Sequence, residues 1–306
     1  MKIGVAGTGA VGGYFGGILQ KAGNDVVFLA RGESLDKMKE KGLTIESEAG
    51  SINVGDSFTE RYDAFSEVEL VLFCVKSTQT TEVATNLFPH LKKDCLILTL
   101  QNGVDNEEIL SSIFGGNRVL SAATYIQAMV PELGVVKQIG VSPRLVIGAI
   151  DPGLSEKVME ISSLFQASGI DTFPSRDILK VKWKKLLWNV SFNPLTALIE
   201  SRVSAIFEDE GIYQIAAKIC QEAIAVARKS GLEIEEDFYE KIKIQGQLAR
   251  DHQTSMLQDK LKGRAMELES ICGYIVKKGK VLNVETPVLE TVYHLLHYQE
   301  QNKRAR

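Results

Sequence analysis

Up to about residue 175, short runs of Val, Ile and Leu alternate with stretches whose apolar positions recur every three to four residues. This is the pattern of βαβ units built around a mostly parallel sheet. The runs predict strands over 2–6, 25–30, 70–75, 96–100 and 119–126. Two more extended runs, 134–139 and 144–150, flank Val141-Ser142-Pro143 and predict a hairpin that extends the sheet. From Asp177 onward the apolar period is 3.6 and strand candidates are few, which predicts an all-helical second domain. The boundary falls between Pro174 and Asp177, giving domains over 1–175 and 176–306. One helix is expected over 208–229, stopped by Gly231, and another starts at Thr286-Pro287, with proline in its first turn. There is no internal repeat, low-complexity segment or long linker.

A chain of 306 residues is about twice the usual domain size, in keeping with two cores. With 44% hydrophobic and 24% charged residues and only 7 prolines, the composition is that of a folded globular protein. A net charge of -4 argues against a general nucleic-acid binder but leaves room for a local basic pocket. The apolar, glycine-rich start follows Lys2 as a signal peptide would, yet its glycine spacing points elsewhere. No run approaches the roughly 18 strongly apolar residues of a membrane span, so no membrane partner is expected. Cys74, Cys95, Cys220 and Cys272 are scattered without a CxxC pair and read as reduced thiols of a cytoplasmic protein. His294 and His297 have no evident third ligand, and no metal site is expected. The sequence does not fix an oligomeric state and leaves a homodimer open.

Gly7, Gly9 and Gly12 form GxGxxG directly after a strand and before a helix, the context in which this motif points to a dinucleotide. Gly7 permits the tight turn, Gly9 removes a side chain where backbone meets pyrophosphate, and Gly12 lets helix and strand pack closely. Thr8, Ala10 and Val11 complete the candidate cofactor loop. NAD-selective sites often end the second strand in an acidic residue. Here the strand VVFLAR ends in Arg31, whose guanidinium suits a 2'-phosphate, so NADPH/NADP+ is the expected cofactor. Glu33 nearby leaves some use of NAD open. Lys76 follows the strand LVLFCV, at the carboxyl end of the sheet, where open α/β folds bind ligands.

In the second domain Lys185, Asn189 and Asn193 recur every four residues and share a helical face. Pro194 disfavours helical geometry at the residue before it, which predicts a helix end at Asn193. Ser255-Met256-Leu257-Gln258 reads as a capping box with Ser255 as N-cap. A helix N-terminus there also suits a substrate carboxylate.

GTGAVGGYFGG, VKSTQT, LQNGVDNEE, WKKLLWNVSFNPLTAL, SMLQD followed by Glu267, and VETPVLETV together resemble the ketopantoate reductase family over nearly the whole chain. The resemblance implies a Rossmann-type domain, then an all-α domain like that of 6-phosphogluconate dehydrogenase, with the active site between them. It further implies Lys185 and Glu267 as catalytic residues. Asn102, Lys185, Asn189, Asn193 and Ser255 become expected substrate contacts, and Lys76, Asn102 and Glu267 contacts toward the cofactor. The implied reaction is NADPH-dependent reduction of 2-dehydropantoate (ketopantoate) to (R)-pantoate, for pantothenate and coenzyme A synthesis. Two alternatives stay open: reduction of another small branched 2-oxo acid, and a non-catalytic NADP-binding sensor. The sequence departs from the family pattern at IESRVSAIFED after Leu198, at Gln138 and at His252, which bears on the choice of substrate.

Overall fold

In β1 (Lys2–Ala6), Ile3 and Val5 join a core that includes Phe15 and Leu19, whereas Ala6 joins Phe65, Val71 and Phe73 on the other face. Burial on both faces is why the early strands read as continuous apolar runs. A computed structural model describes residues 1–55 and 57–304; Ala305 and Arg306, the end of the expected second domain, lie outside the described residues. The chain divides into one unit of residues 1–102 and 106–179, and another of 103–105 with the residues from Lys180 onward.

In the first unit β1 is followed by α1 (Ala10–Lys21), β2 (Asp25–Leu29), α2 (Gly32–Lys41), β3 (Leu43–Ser47), β4 (Gly50–Val54) and β5 (Phe58–Thr59). Then come β6 (Leu70–Phe73), α3 (Thr80–Leu87), β7 (Leu96–Thr99), α4 (Asn106–Phe114), β8 (Val119–Tyr125) and β9 (Ala128–Met129). The unit closes with β10 (Val135–Gln138), β11 (Arg144–Ala149), α5 (Ser155–Ala167) and β12 (Asp171–Pro174). Eight strands form the main sheet in the order β12-β11-β8-β7-β6-β1-β2-β5. All its pairings are parallel except β8 with β11. Because β1 lies between β2 and β6, the strand order reverses there, at the point where such sheets bind ligands.

The expected hairpin does not form. β10 joins a second sheet, ordered β4-β3-β10-β9, while β11 pairs with β8 and β12 in the main sheet. Leu145 and Ile147 are completely buried in the main-sheet core, and Val136 is buried against α1. The two runs are neighbours in sequence, but their apolar residues are claimed by partners far along the chain. Helix α1 packs against both sheets through four glycines. A Cβ at position 16 would lie 2.6 Å from Val5 and one at position 17 would lie 2.2 Å from Ile45.

The second unit is helical: α6 (Ile178–Ile199), α7 (Ser204–Glu208), α8 (Glu210–Lys229), α9 (Phe238–Leu248), α10 (Ser255–Leu261), a π-helix over Glu269–Gly273, α11 (Tyr274–Leu282) and α12 (Pro287–Arg304). No helix among the described residues is long and apolar enough to cross a membrane. Contrary to the expected end at Asn193, α6 continues through Pro194. An interior proline costs about 3 kcal/mol. Burial of Leu186, Leu187, Val190, Phe192 and Leu195 offsets this, each large apolar side chain contributing roughly 1.5–3 kcal/mol. The helix stops at Glu200, whose φ is 53°, and the Lys260 ammonium donates to Ala197 O at 2.7 Å. The helix expected over 208–229 is broken at Asp209, whose carboxylate accepts from Ile212 N at 2.9 Å and opens α8. At the start of α12, Glu222 accepts from the Val288 and Leu289 N–H groups at 3.0 and 2.9 Å, a carboxylate on a helix's positive end.

Thr254, not Ser255, caps α10. Its hydroxyl accepts from Leu257 N at 3.3 Å and lies 2.7 Å from the Thr196 hydroxyl of α6, while Ser255 is the first helical residue and is exposed. A threonine directly before the serine supplies the same capping oxygen and also buries its methyl group, an advantage at a site with no solvent access. Thr254→Ala is expected to cost about 1–3 kcal/mol, from lost capping and an orphaned buried hydroxyl. Ser255→Ala should change stability by less than about 0.5 kcal/mol. Urea denaturation of both variants checks the assignment, and equal losses would contradict it.

Candidate active site

Strand register brings the candidate cofactor residues of the first unit to one edge. Ala6 pairs with Leu29 and Phe73, and Phe73 pairs with Thr99, so the segments after β1, β2, β6 and β7 leave the sheet together. These segments carry Gly7 to Gly12, Arg31, Lys76 and Asn102. Gly7 has a φ of 102°, and a Cβ there would lie 2.8 Å from Val75. A Cβ at position 12 would meet Gly7 O at 2.2 Å, but one at position 9 would meet nothing within 4 Å. Gly9 is therefore the point at which the loop is open to approach, and α1 begins there without a side-chain cap. Ala10 and Val11 form the first turn of α1, whose leading N–H groups have no intrahelical acceptor. A pyrophosphate fits this cradle by charge and by space. The Thr8 hydroxyl is committed to Leu29 O at 2.9 Å and ties the loop to β2. Arg31 and Lys76 are exposed, and Asn102 is half-buried.

A buried hydrogen-bonded network, not foreseen from sequence, shapes the same edge. Gln101 Nε2 donates to Val75 O at 2.9 Å and to the Thr80 hydroxyl at 2.8 Å, and Gln101 Oε1 accepts from Thr99 at 3.0 Å. Thr80 in turn donates to Asn106 Oδ1 at 2.8 Å, and Asn106 Nδ2 donates to Asn102 O at 2.9 Å. The network fixes the backbone beside Lys76 and at Asn102. Its members are ordinary polar residues flanking a motif, and their only sequence signal is that they cluster after strands.

In the second unit, Lys182, Lys185, Asn189 and Asn193 form one polar stripe along α6, spaced three, four and four residues apart. Lys182, Asn189 and Asn193 are 4%, 7% and 2% exposed, and Lys185 is half-buried. Asn193 Oδ1 is buried without a hydrogen-bond partner, a cost normally avoided. Glu267 is buried next to Lys185. Desolvation pushes the Lys185 amine down to about 7; nearby Lys182 acts in the same direction and Glu267 opposes both. The cap of α10 is tied to the turn carrying Asn193, since Thr196 bonds both Thr254 and Asn193 O. This brings Ser255 to the same end of the stripe. His252 stacks edge-on to Trp188 with ring centroids 5.8 Å apart, and burial lowers its pKa. Gln138, in the first unit, donates to Ile139 O, Gly140 O and Val141 O and so shapes its own turn.

Residues 3–152 match the family model described as "Ketopantoate reductase PanE/ApbA", and residues 177–300 match "Ketopantoate reductase PanE/ApbA C terminal". The chain is 30% identical to a 2-dehydropantoate 2-reductase of Pyrococcus abyssi over 98% of each chain. A PanE/ApbA family ketopantoate reductase from Ralstonia eutropha superposes with a TM-score of 0.92 at 30% identity, covering 99% of this chain and 100% of that one. A D-mandelate dehydrogenase in a ternary structure with NADH and anilino(oxo)acetate has a TM-score of 0.91 at 24% identity, with 99% and 100% covered, a likeness of fold.

The lowered Lys185 pKa has a consequence for stability. Between about 7 and the ordinary 10.5, the unfolded chain holds a proton that the folded chain lacks, so stability rises with pH across that window. Below pH 7 the cost of the buried charge is borne in full. Lys185→Met is expected to be more stable than the parent at pH 6, by on the order of 1–3 kcal/mol, with the gap closing toward pH 10. Urea denaturation at pH 6, 8 and 10 measures it, and a gap independent of pH would show that the amine is not desolvated.

Proposed function

Because the chain belongs to the ketopantoate reductase family, we propose that it reduces the ketone of a small branched 2-oxo acid, ketopantoate, to (R)-pantoate with NADPH in the cytoplasm. The observation that carries this reading is the desolvated Lys185 amine beside Glu267, on a helix face shared with Asn189 and Asn193. An acid that titrates near neutrality is matched to protonating a developing alkoxide.

When bound, NADPH supplies the hydride. Gly7, Gly9, Ala10, Val11 and Gly12 hold its pyrophosphate through backbone N–H groups, with Thr8 fixing the loop to β2. Arg31 reads the 2'-phosphate, and Lys76 and Asn102 complete the first unit's share of the site. Lys185 hydrogen-bonds the substrate carbonyl oxygen through its ammonium, stabilises the charge that develops there and transfers its proton to it. Solvent then returns the proton to Lys185. Glu267 orients the Lys185 ammonium and opposes its premature loss of the proton. Asn193 Oδ1, buried and unpaired, accepts from a substrate hydroxyl; Asn189 and the exposed Ser255 hydroxyl bind the remaining polar groups.

Lys185→Ala should lower turnover by about 10²–10⁴-fold while leaving NADPH binding nearly unchanged. Steady-state NADPH oxidation over a panel of 2-oxo acids tests both the activity and the substrate. No oxidation with any member would leave a cofactor-binding sensor, and a preferred acid other than ketopantoate would replace the substrate. Arg31→Ala should weaken NADPH binding by about 1.5–3 kcal/mol and NADH binding far less. Titration of both cofactors by fluorescence reads this directly, and equal losses would remove Arg31 from the 2'-phosphate.

A further inference from the structure

Helix α6 carries four lysines, and they divide between two sides. Lys184 donates to Glu235 at 2.5 Å, and Lys180 lies 3.9 Å from Glu233, both pairs toward solvent. Lys182 is turned about 200° from each, since successive helical residues rotate by about 100°. It is buried on the side of the stripe of Lys185, Asn189 and Asn193, one turn before Lys185. At a spacing of three residues, the two side chains stand over neighbouring patches, with Cβ atoms roughly 5–6 Å apart. Lysine is rarely found this deeply buried.

We propose that Lys182 is a positioning residue of the reaction, its buried charge keeping the Lys185 ammonium ready to release its proton to the substrate oxygen. The inference rests on the reading of Lys185 as proton donor. Lys182, from its own helix, and Glu267, from the segment before the π-helix, both act on Lys185. They pull in opposite directions, and removing either tips the balance toward the other. Without Lys182, Glu267 and residual burial remain, and the amine holds its proton to higher pH.

The test is the pH dependence of kcat/KM for ketopantoate reduction by NADPH in the full-length protein. In the parent, kcat/KM should fall as pH rises through the Lys185 titration, because the donor must carry its proton. Lys182→Met should move this basic limb upward by about one to two pH units, with lower turnover at the plateau. Lys182→Arg, which keeps a cation at the position, should hold the limb near that of the parent. A limb unmoved in Lys182→Met, with the limb lost in Lys185→Ala, overturns the role of Lys182 and leaves the donor intact. Near-normal turnover and an unchanged limb in Lys185→Ala overturn the donor and this inference together. Should Lys182→Met fail to fold, Lys182→Gln carries the same comparison without the charge. If neither neutral variant folds while Lys182→Arg does, the charge is structural and the inference fails.

Discussion

An ammonium partly stripped of its water sets the terms for the helical unit. Moving such a charge into a protein interior costs several kcal/mol even after relaxation. The unit meets that cost by setting a carboxylate, Glu267, beside Lys185 and by letting the amine titrate near neutrality. The residue next to it shows what a rotation of about 100° does to the same chemistry. Lys184 reaches solvent, bonds Glu235 and holds that carboxyl down at about 2, a surface pair with little to contribute beyond local order. Two adjacent lysines thus share a helix and differ entirely in what the protein asks of them.

The first unit is governed by the opposite economy, in which backbone rather than side chains shapes the open edge. Its sheet edge presents few charged side chains, and the open loop at Gly9 owes its shape to contacts made elsewhere: Gly12 against Gly7 O, Thr8 on Leu29 O, and Gln101 on Val75 O. Every polar atom spent on Gln101 and Thr80 is matched, so the loops beside Lys76 and Asn102 are held by satisfied bonds. A rigid edge of this kind spares a ligand the entropy of ordering it.

Both fold classes were legible in the sequence, since two-sided burial and a 3.6-residue period leave strong marks. GxGxxG was legible too, because only glycine tolerates the approach at position 12. What sequence could not show was set by distant partners. The strands over 135–138 and 144–149 look like a pair but belong to different sheets. Pro194 and Ser255 misled for a related reason: local rules gave a helix end and a cap, while packing around α6 and the buried Thr254 overrode them. Lys182 was visible only as one of several nearby lysines. Its distinction is its burial, which depends on which way α6 faces.

Helix α1 carries a consequence of its own. Four of its twelve residues are glycine, which gives up roughly 1 kcal/mol of intrinsic helicity at each position relative to alanine. Positions 12, 13, 16 and 17 each sit within 3 Å of another group at the point a Cβ would occupy, so the usual route to a sturdier helix is closed. A segment this poor in helicity has little reason to coil before its surroundings exist. It must take shape together with both sheets, which couples the open glycine loop at its head to the cooperative unfolding of the whole first unit.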